Sequence, residues 1–145
     1  MNYAFRRATA EDFEFLRDLH HQTLRPYVEQ VFGWDQTEQD RLFDEKFDPR
    51  ELQVILADQR PAGLLQLEEW PHELFLANLL IAPELQRRGL GGKILKDLLT
   101  RAQLINKTVA LTVLRPNPAR RFYERHGFRV SGENEQRYFM KWTPA

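Results

Sequence analysis

The sequence predicts a single α+β domain: a central, mostly antiparallel sheet with one parallel pair, flanked by about four helices. Three observations carry this expectation. A chain of 145 residues is long enough for one core and short for two. Segments with strand periodicity follow one another from Glu51 to Ala82 with only short turns between them. A strand, a helical stripe and another strand then run from Leu74 to Leu114, and such a crossover makes that strand pair parallel.

In chain order, "NYAFRRAT" suits a first strand, and "TAED" (Thr9 to Asp12) has capping-box spacing. Phe13, Leu16, Leu19 or His20, Thr23 and Leu24 recur at helical intervals, and Pro26 is expected to end or bend that helix. A second helix is predicted over Gln36 to Phe47, with Leu42, Phe43 and Phe47 on one side. "ELQVILAD", "GLLQLEEW" and "LFLANLLIA" read as a three-strand meander with turns at "QRPAG" and "PHE". Ile94, Leu95, Leu98, Leu99 and Ala102 form the apolar stripe of a helix, and "TVALTVL" (Thr108 to Leu114) is a buried strand. "NPARRFYERH" is a short helix stopped by Gly127, and "FRVSGENEQRYFMKW" closes the chain as a hairpin. Gln136 to Trp142 of that hairpin offers an edge for a homodimer.

Lys+Arg and Asp+Glu both number 21, so no basic excess supports a non-specific nucleic-acid binder. Arg115, Arg120, Arg121 and Arg125 form a locally basic stretch that a solvated helix face explains better. The chain has no cysteine, which removes disulfides, thiolate metal sites and a thiol nucleophile. The longest apolar run, Leu74 to Ala82, falls well short of the ~20 residues that span a bilayer, and no secretory signal is visible. The expectation is a soluble, cytoplasmic protein with no membrane or nucleic-acid partner. The four histidines suggest no metal site: His20 and His21 are adjacent and should diverge on a helix, His72 is in a turn, and His126 suits a helix C-terminus.

"QRRGLGG" lies between a strand and a helix. A helix start presents unpaired N–H groups and the positive end of the dipole, glycine lets an anion approach the backbone, and Arg87 and Arg88 add charge. Two phosphate motifs fail here. A P-loop needs Gly and Ser/Thr where Arg87 and Ile94 stand, and a dinucleotide fingerprint needs glycine at Ile94. Gln86-Arg87-Arg88-Gly89-Leu90-Gly91 does match Gln/Arg-x-x-Gly-x-Gly/Ala. On this motif, on "LLIAPELQRRGLGGKILKDLL" and on "NPARRFYERHGF" about 30 residues later, the chain resembles the GNAT N-acetyltransferases over nearly its whole length.

The resemblance implies that Gln86, Arg87, Arg88, Gly89, Leu90, Gly91 and Gly92 hold the pyrophosphate of acetyl-CoA. It implies a parallel pair that splays, with pantetheine in the gap and a backbone N–H near Leu79, Leu80 and Ile81 polarising the thioester carbonyl. It makes Tyr123 the proton donor to the departing thiolate. The other reading of Tyr123 is a core aromatic beside Phe122. Asn117 is either the cap of the helix opened by Pro118 or a ligand contact.

An amine must lose a proton before or during attack. Glu68, Glu69 and Glu73 are the carboxylates near the central strand; alternation lets at most one of Glu68 and Glu69 face the site, and each taken singly reads better as a solvated hairpin charge. In such folds the acceptor pocket forms between the first two helices, here with Tyr27, Glu29, Phe32 and Trp34. Phe32 suits interhelical packing better, and Asn78 either orients the acceptor or sits on a wetter face. Trp70 and Trp142 read as strand packing. The resulting expectation is acetyl transfer to a small-molecule or protein amine by direct attack in a ternary complex, without a metal. A non-catalytic acyl-CoA-binding module is the alternative.

Overall fold

The computed structural model describes residues 2–145. Its elements run β1 (Tyr3–Arg7), α1 (Phe13–Phe32), α2 (Gln36–Lys46), β2 (Gln53–Ala57), β3 (Arg60–Glu69), β4 (Glu73–Ile81), α3 (Leu90–Leu104), β5 (Thr108–Leu114), α4 (Ala119–Arg125), β6 (Arg129–Glu133) and β7 (Arg137–Trp142). Among these residues seven strands form one sheet in the order β1-β2-β3-β4-β5-β7-β6. Only β4 and β5 are parallel, joined by α3 as the crossover. The architecture is the α+β domain that the sequence predicts.

Strand alternation builds a core on each side of the sheet. Val54 and Leu64 pack with Leu16 and Leu19 of α1. Their chain neighbours Ile55 and Leu65 pack with Ile94, Leu95 and Leu99 of α3 and with Tyr123 of α4. Leu16 and Leu95 are fully buried. Burying a leucine of this kind is worth roughly 1.5–3 kcal/mol, which is enough to fix which face of each helix meets the sheet.

One local expectation gives way and a second is narrowed. The "QRPAG" turn is really Asp58–Gln59, both with positive φ (49° and 72°), so Arg60, Pro61, Ala62 and Gly63 already belong to β3. Pro61 is tolerated because β3 pairs with β4 only from Gly63 onward, so its missing N–H costs no β4 bond. Pro26 does not end α1, which continues to Phe32. The following turn is held by Gln30, whose side-chain amide donates to the Pro26 carbonyl at 2.9 Å. Among the described residues no helix is long and apolar enough to cross a membrane.

Candidate active site

β4 and β5 are bonded only at their start, Glu73 with Thr108, Leu74 with Val109 and Phe75 with Ala110. From Leu76 onward the strand neighbour of β4 is β3, and from Leu111 onward that of β5 is β7. A bulge accounts for the parting. Gln66 pairs with Asn78 but Leu67 pairs with Leu76, which leaves Ala77 as an extra residue in β4. A bulge bends its strand and increases the local twist. The facing edges beyond it keep backbone groups with no strand partner.

A cavity of about 830 Å³ opens at this parting. Ala77 and Asn78 of β4, Thr112 to Leu114 of β5 and Gln66 of β3 form its floor, and His20, Leu42 and Phe43 of α1 and α2 cover it. No residue of α2 is buried, because its apolar side faces this cavity instead of a filled core. Asn78 donates its amide N–H to Gln66 Oε1 at 2.9 Å, which fixes both side chains. Trp34 and Phe32 also line the cavity, whereas Tyr27 and Glu29 are not among its lining residues. Glu29 instead lies 3.6 Å from Arg25.

Past the end of β4 the chain turns sharply into α3. Gln86 donates its side-chain amide to the Ile81 carbonyl at 2.9 Å, tying the loop to the strand. Arg87 (φ 63°) and Gly89 (φ 82°) both take left-handed conformations, and Gly89 is the residue that opens α3. No side chain caps this helix. Lys93 N–H already reaches the Gly89 carbonyl, so Leu90, Gly91 and Gly92 carry the first-turn N–H groups that have no intrahelical acceptor. A Cβ on Gly91 would meet only Ile81 and Phe122 at 3.7 Å, and one on Gly92 only His126 at 3.5 Å. Neither glycine is demanded by its φ or by the protein's own packing, although each costs a helix about 1 kcal/mol relative to alanine. Open N–H groups, room above them and exposed Arg87 and Arg88 together make a place for an anion.

α4 packs beside this first turn. His126, at its C-terminus, donates Nδ1–H to the Phe122 carbonyl at 2.9 Å and turns its Nε2 edge toward Gly92. Tyr123 is buried against Phe122 and Phe128, with ring centroids 5.2 and 5.4 Å away. Burial pushes its phenol pKa well above the ordinary value. Tyr123 therefore keeps its proton at every physiological pH. Asn117 Oδ1 accepts from Ala119 N–H at 2.9 Å and so caps α4, while the residue also lines the cavity.

The three glutamates lie at the closed end of the strand pair. Glu68 and Glu69 pair with Phe75 and Leu74 and line a second cavity of about 760 Å³, with Tyr3, Arg7 and Leu98. Glu73 Oε2 lies 3.7 Å from Lys141 Nζ. The cavity at the parting includes none of them among its lining residues.

Sequence reasoning missed the histidine pair. Its rings do not diverge: His20 Nδ1 and His21 Nδ1 are 3.2 Å apart, and His21 Nε2 is 2.9 Å from Asp40 Oδ1 on α2. Gln36 Nε2 donates to the same Asp40 oxygen at 2.9 Å, and Trp34 Nε1 donates to Gln36 Oε1 at 3.1 Å. Helix geometry alone separates adjacent side chains. The pairing depends on Asp40 reaching across from the second helix, for which the sequence carries no local signal.

Comparison with known proteins bears on the fold and the family. The family model described as an acetyltransferase (GNAT) domain matches residues 16–144. Among solved structures, the PaiA N-acetyltransferase of Thermoplasma acidophilum in complex with coenzyme A superposes with TM-score 0.79 at 18% identity, covering 99% of each chain. An acetyltransferase of Thermus thermophilus gives 0.75 at 22% identity, covering 99% of this chain and 97% of that one. The apo-form of YjaB from Escherichia coli gives 0.75 at 21% identity, covering both chains fully. Among curated proteins no relative matches. These structures share the fold, and the family model spans nearly the whole chain from α1 to the C-terminus, so the chain belongs to the GNAT acetyltransferase family.

Proposed function

We propose that the protein transfers an acetyl group from acetyl-CoA to a primary amine by direct attack in a ternary complex. The observation that carries this reading is the cavity at the β4–β5 parting, which joins a strand gap to a pocket under α1 and α2. The acceptor would enter on the helix side, and the coenzyme along the free β4 edge and the first turn of α3, which lie beside this cavity and outside its lining.

The residues fit the coenzyme. The open N–H groups of Leu90, Gly91 and Gly92, with Arg87 and Arg88, receive the diphosphate, and Gln86 keeps the loop in place. The unpartnered edge of β4 at Leu79, Leu80 and Ile81 receives the amide groups of the pantetheine arm, much as an added strand would. Acetyl-CoA supplies the activated acyl group. A backbone N–H on this edge stabilises the oxyanion formed when the amine nitrogen attacks the carbonyl carbon. The C–S bond then breaks and its electron pair stays on sulfur.

A phenol is a weaker acid than a thiol, with reference pKa values of about 10 and 8.5, and burial of Tyr123 widens that gap. Complete proton transfer from Tyr123 to the thiolate is therefore uphill. Its contribution is a hydrogen bond to the sulfur as charge develops, with the proton finally drawn from solvent. Trp34, Phe32 and Asn78 shape the acceptor end. Asp35 and Glu38 bring negative charge there, and Lys46 and Arg137 bring positive charge.

The test is thiol release from acetyl-CoA over a panel of primary amines, including polyamines, amino acids and peptide N-termini, with mass spectrometry of the products. Acetylated amine in proportion to thiol is the expected result. Tight coenzyme binding with no acetylated product from any amine would replace this reading with that of an acyl-CoA-binding module.

A further inference from the structure

We propose that His20 is the base that takes the proton from the attacking amine, with His21 and Asp40 as the relay that orients it and receives the charge. The inference rests on the transfer reading above and adds the residue that the glutamates do not provide. His20 lines the cavity floored by Asn78 and Thr112, at the covering face under which an acceptor must lie.

The hydrogen-bond chain fixes the protons. Asp40 is a carboxylate and can only accept, so His21 Nε2 carries a hydrogen toward it at 2.9 Å. In the neutral ring His21 Nδ1 is then an acceptor. His20 Nδ1 lies 3.2 Å away and supplies the hydrogen. That leaves the lone pair of His20 on Nε2. Phe43 packs against both rings, at 5.4 and 6.0 Å, and Trp34 packs on His21 at 5.2 Å, which restricts rotation out of this arrangement.

The charge balance also favours the chain over an isolated imidazole. The charged groups acting on His20 are His21 on its own helix and Lys46 from α2, and the same cavity is lined by the neutral Gln66 and Asn78 from the sheet and by Asp35 and Glu38. Arg17 acts on Asp40. Burial first, then His21 and Lys46, lower the His20 pKa to about 4, so the ring is neutral and able to accept at pH 7. A positive charge resting on His20 is disfavoured for the same reasons. The relay removes it: as Nε2 takes the amine proton, Nδ1–H passes to His21 Nδ1. The cation then sits on His21 against the Asp40 carboxylate. One N–H bond of the amine is broken and one is formed on His20, and the second transfer only exchanges N–H bonds between the rings.

Two measurements test this. In the free protein labelled with ¹⁵N-histidine, His20 should show the Nδ1–H tautomer and His21 the Nε2–H tautomer at pH 7. The reverse tautomer, or a charged His20, would overturn the proposal without reference to activity. In turnover, His20→Gln should lower kcat roughly 100-fold or more, remove the acidic limb of the kcat–pH profile and leave coenzyme affinity within about threefold by calorimetry. Asp40→Asn should lower kcat about tenfold and shift that limb, a change that looser packing would not produce. Undiminished turnover and an unchanged profile in His20→Gln refute the relay alone. Failure of the wild-type protein to acetylate any amine refutes the transfer reading and the base with it.

Discussion

Asp12 and His20 respond to acid in separate pH ranges. Asp12 accepts from both terminal nitrogens of Arg6 at 2.8 Å and from Thr9 N–H at 2.8 Å, ahead of α1. The Arg6 bonds above all lower its pKa from 3.8 to about 2. A folded-state value below the unfolded one gives stability that is complete above about pH 3.8 and lost as pH falls toward 2. For His20 the folded value is about 4 against 6.5, because burial disfavours the imidazolium. Its contribution is complete above pH 6.5 and is lost as pH falls through 4. Urea unfolding at pH 7, 5.5 and 4 should therefore show a loss of about 2 kcal/mol over this range, and His20→Gln should flatten it. Asp12→Asn should cost about 2 kcal/mol at pH 7 and leave the drop between pH 6.5 and 4 in place. The Tyr123 hydroxyl makes no side-chain hydrogen bond among the described residues, so Tyr123→Phe should barely change stability. If the phenol supports the leaving sulfur, that variant loses roughly 10- to 100-fold in kcat with coenzyme affinity preserved. Equal turnover in steady-state assays of the two proteins would leave Tyr123 as a core aromatic.

Gly63 and Gly91 differ in what an added methyl group would meet. A Cβ on Gly63 would lie 2.2 Å from the Leu80 carbonyl oxygen of the neighbouring strand. Backbone cannot yield there, so Gly63→Ala should destabilise by several kcal/mol, seen as a lower urea midpoint. Gly91 meets nothing closer than 3.7 Å. Gly91→Ala should leave the fold intact or stabilise it by about 0.5–1 kcal/mol and keep coenzyme affinity within about threefold, because the motif admits alanine there and the methyl would face Ile81 and Phe122. Binding lost from a folded Gly91→Ala protein would instead put that methyl, in the first turn of α3, in the coenzyme's path. The strands, α3 and this turn were legible because period and glycine placement are local properties. The depth of the cleft was not legible. It depends on a ladder of three residue pairs and on the bulge at Ala77, inside an apolar run broken only by Asn78. Sequence position alone leaves that depth open, and the structure puts Glu68, Glu69 and Glu73 at the closed end of the pair. The His20–His21–Asp40 chain escaped for a related reason: it is a contact between helices, and only the packing of α1 on α2 creates it. Trp34 and Asn78 line the cavity, whereas Tyr27 and Glu29, from the same segment as Trp34, do not.

At the scale of the molecule, the parting divides the sheet into β1–β4 and β5–β7–β6, joined by the short Glu73–Phe75 ladder and by α3. A ligand that pairs with the edge of β4, fills the gap before β5 and anchors on α3 touches both parts at once. Its binding energy then appears as folding energy. At a hundred times its dissociation constant, coenzyme A should stabilise the native state by about 2.7 kcal/mol. At roughly 2–4 °C per kcal/mol for a chain of this size, Tm should rise by about 5–10 °C. Pantetheine has the arm without the diphosphate. At equal concentration it should produce a much smaller shift, because the open N–H groups of Leu90, Gly91 and Gly92 would find no anion. Hydrogen exchange should locate the effect, with protection gained along Leu76–Ile81, along Leu111–Leu114 and in the first turn of α3, and little gained in β1 or β6. A Tm shift of the same size with pantetheine would move the binding energy out of the helix N-terminus and into the strand gap. No shift with either compound would mean that the parted strands serve something other than an acyl carrier.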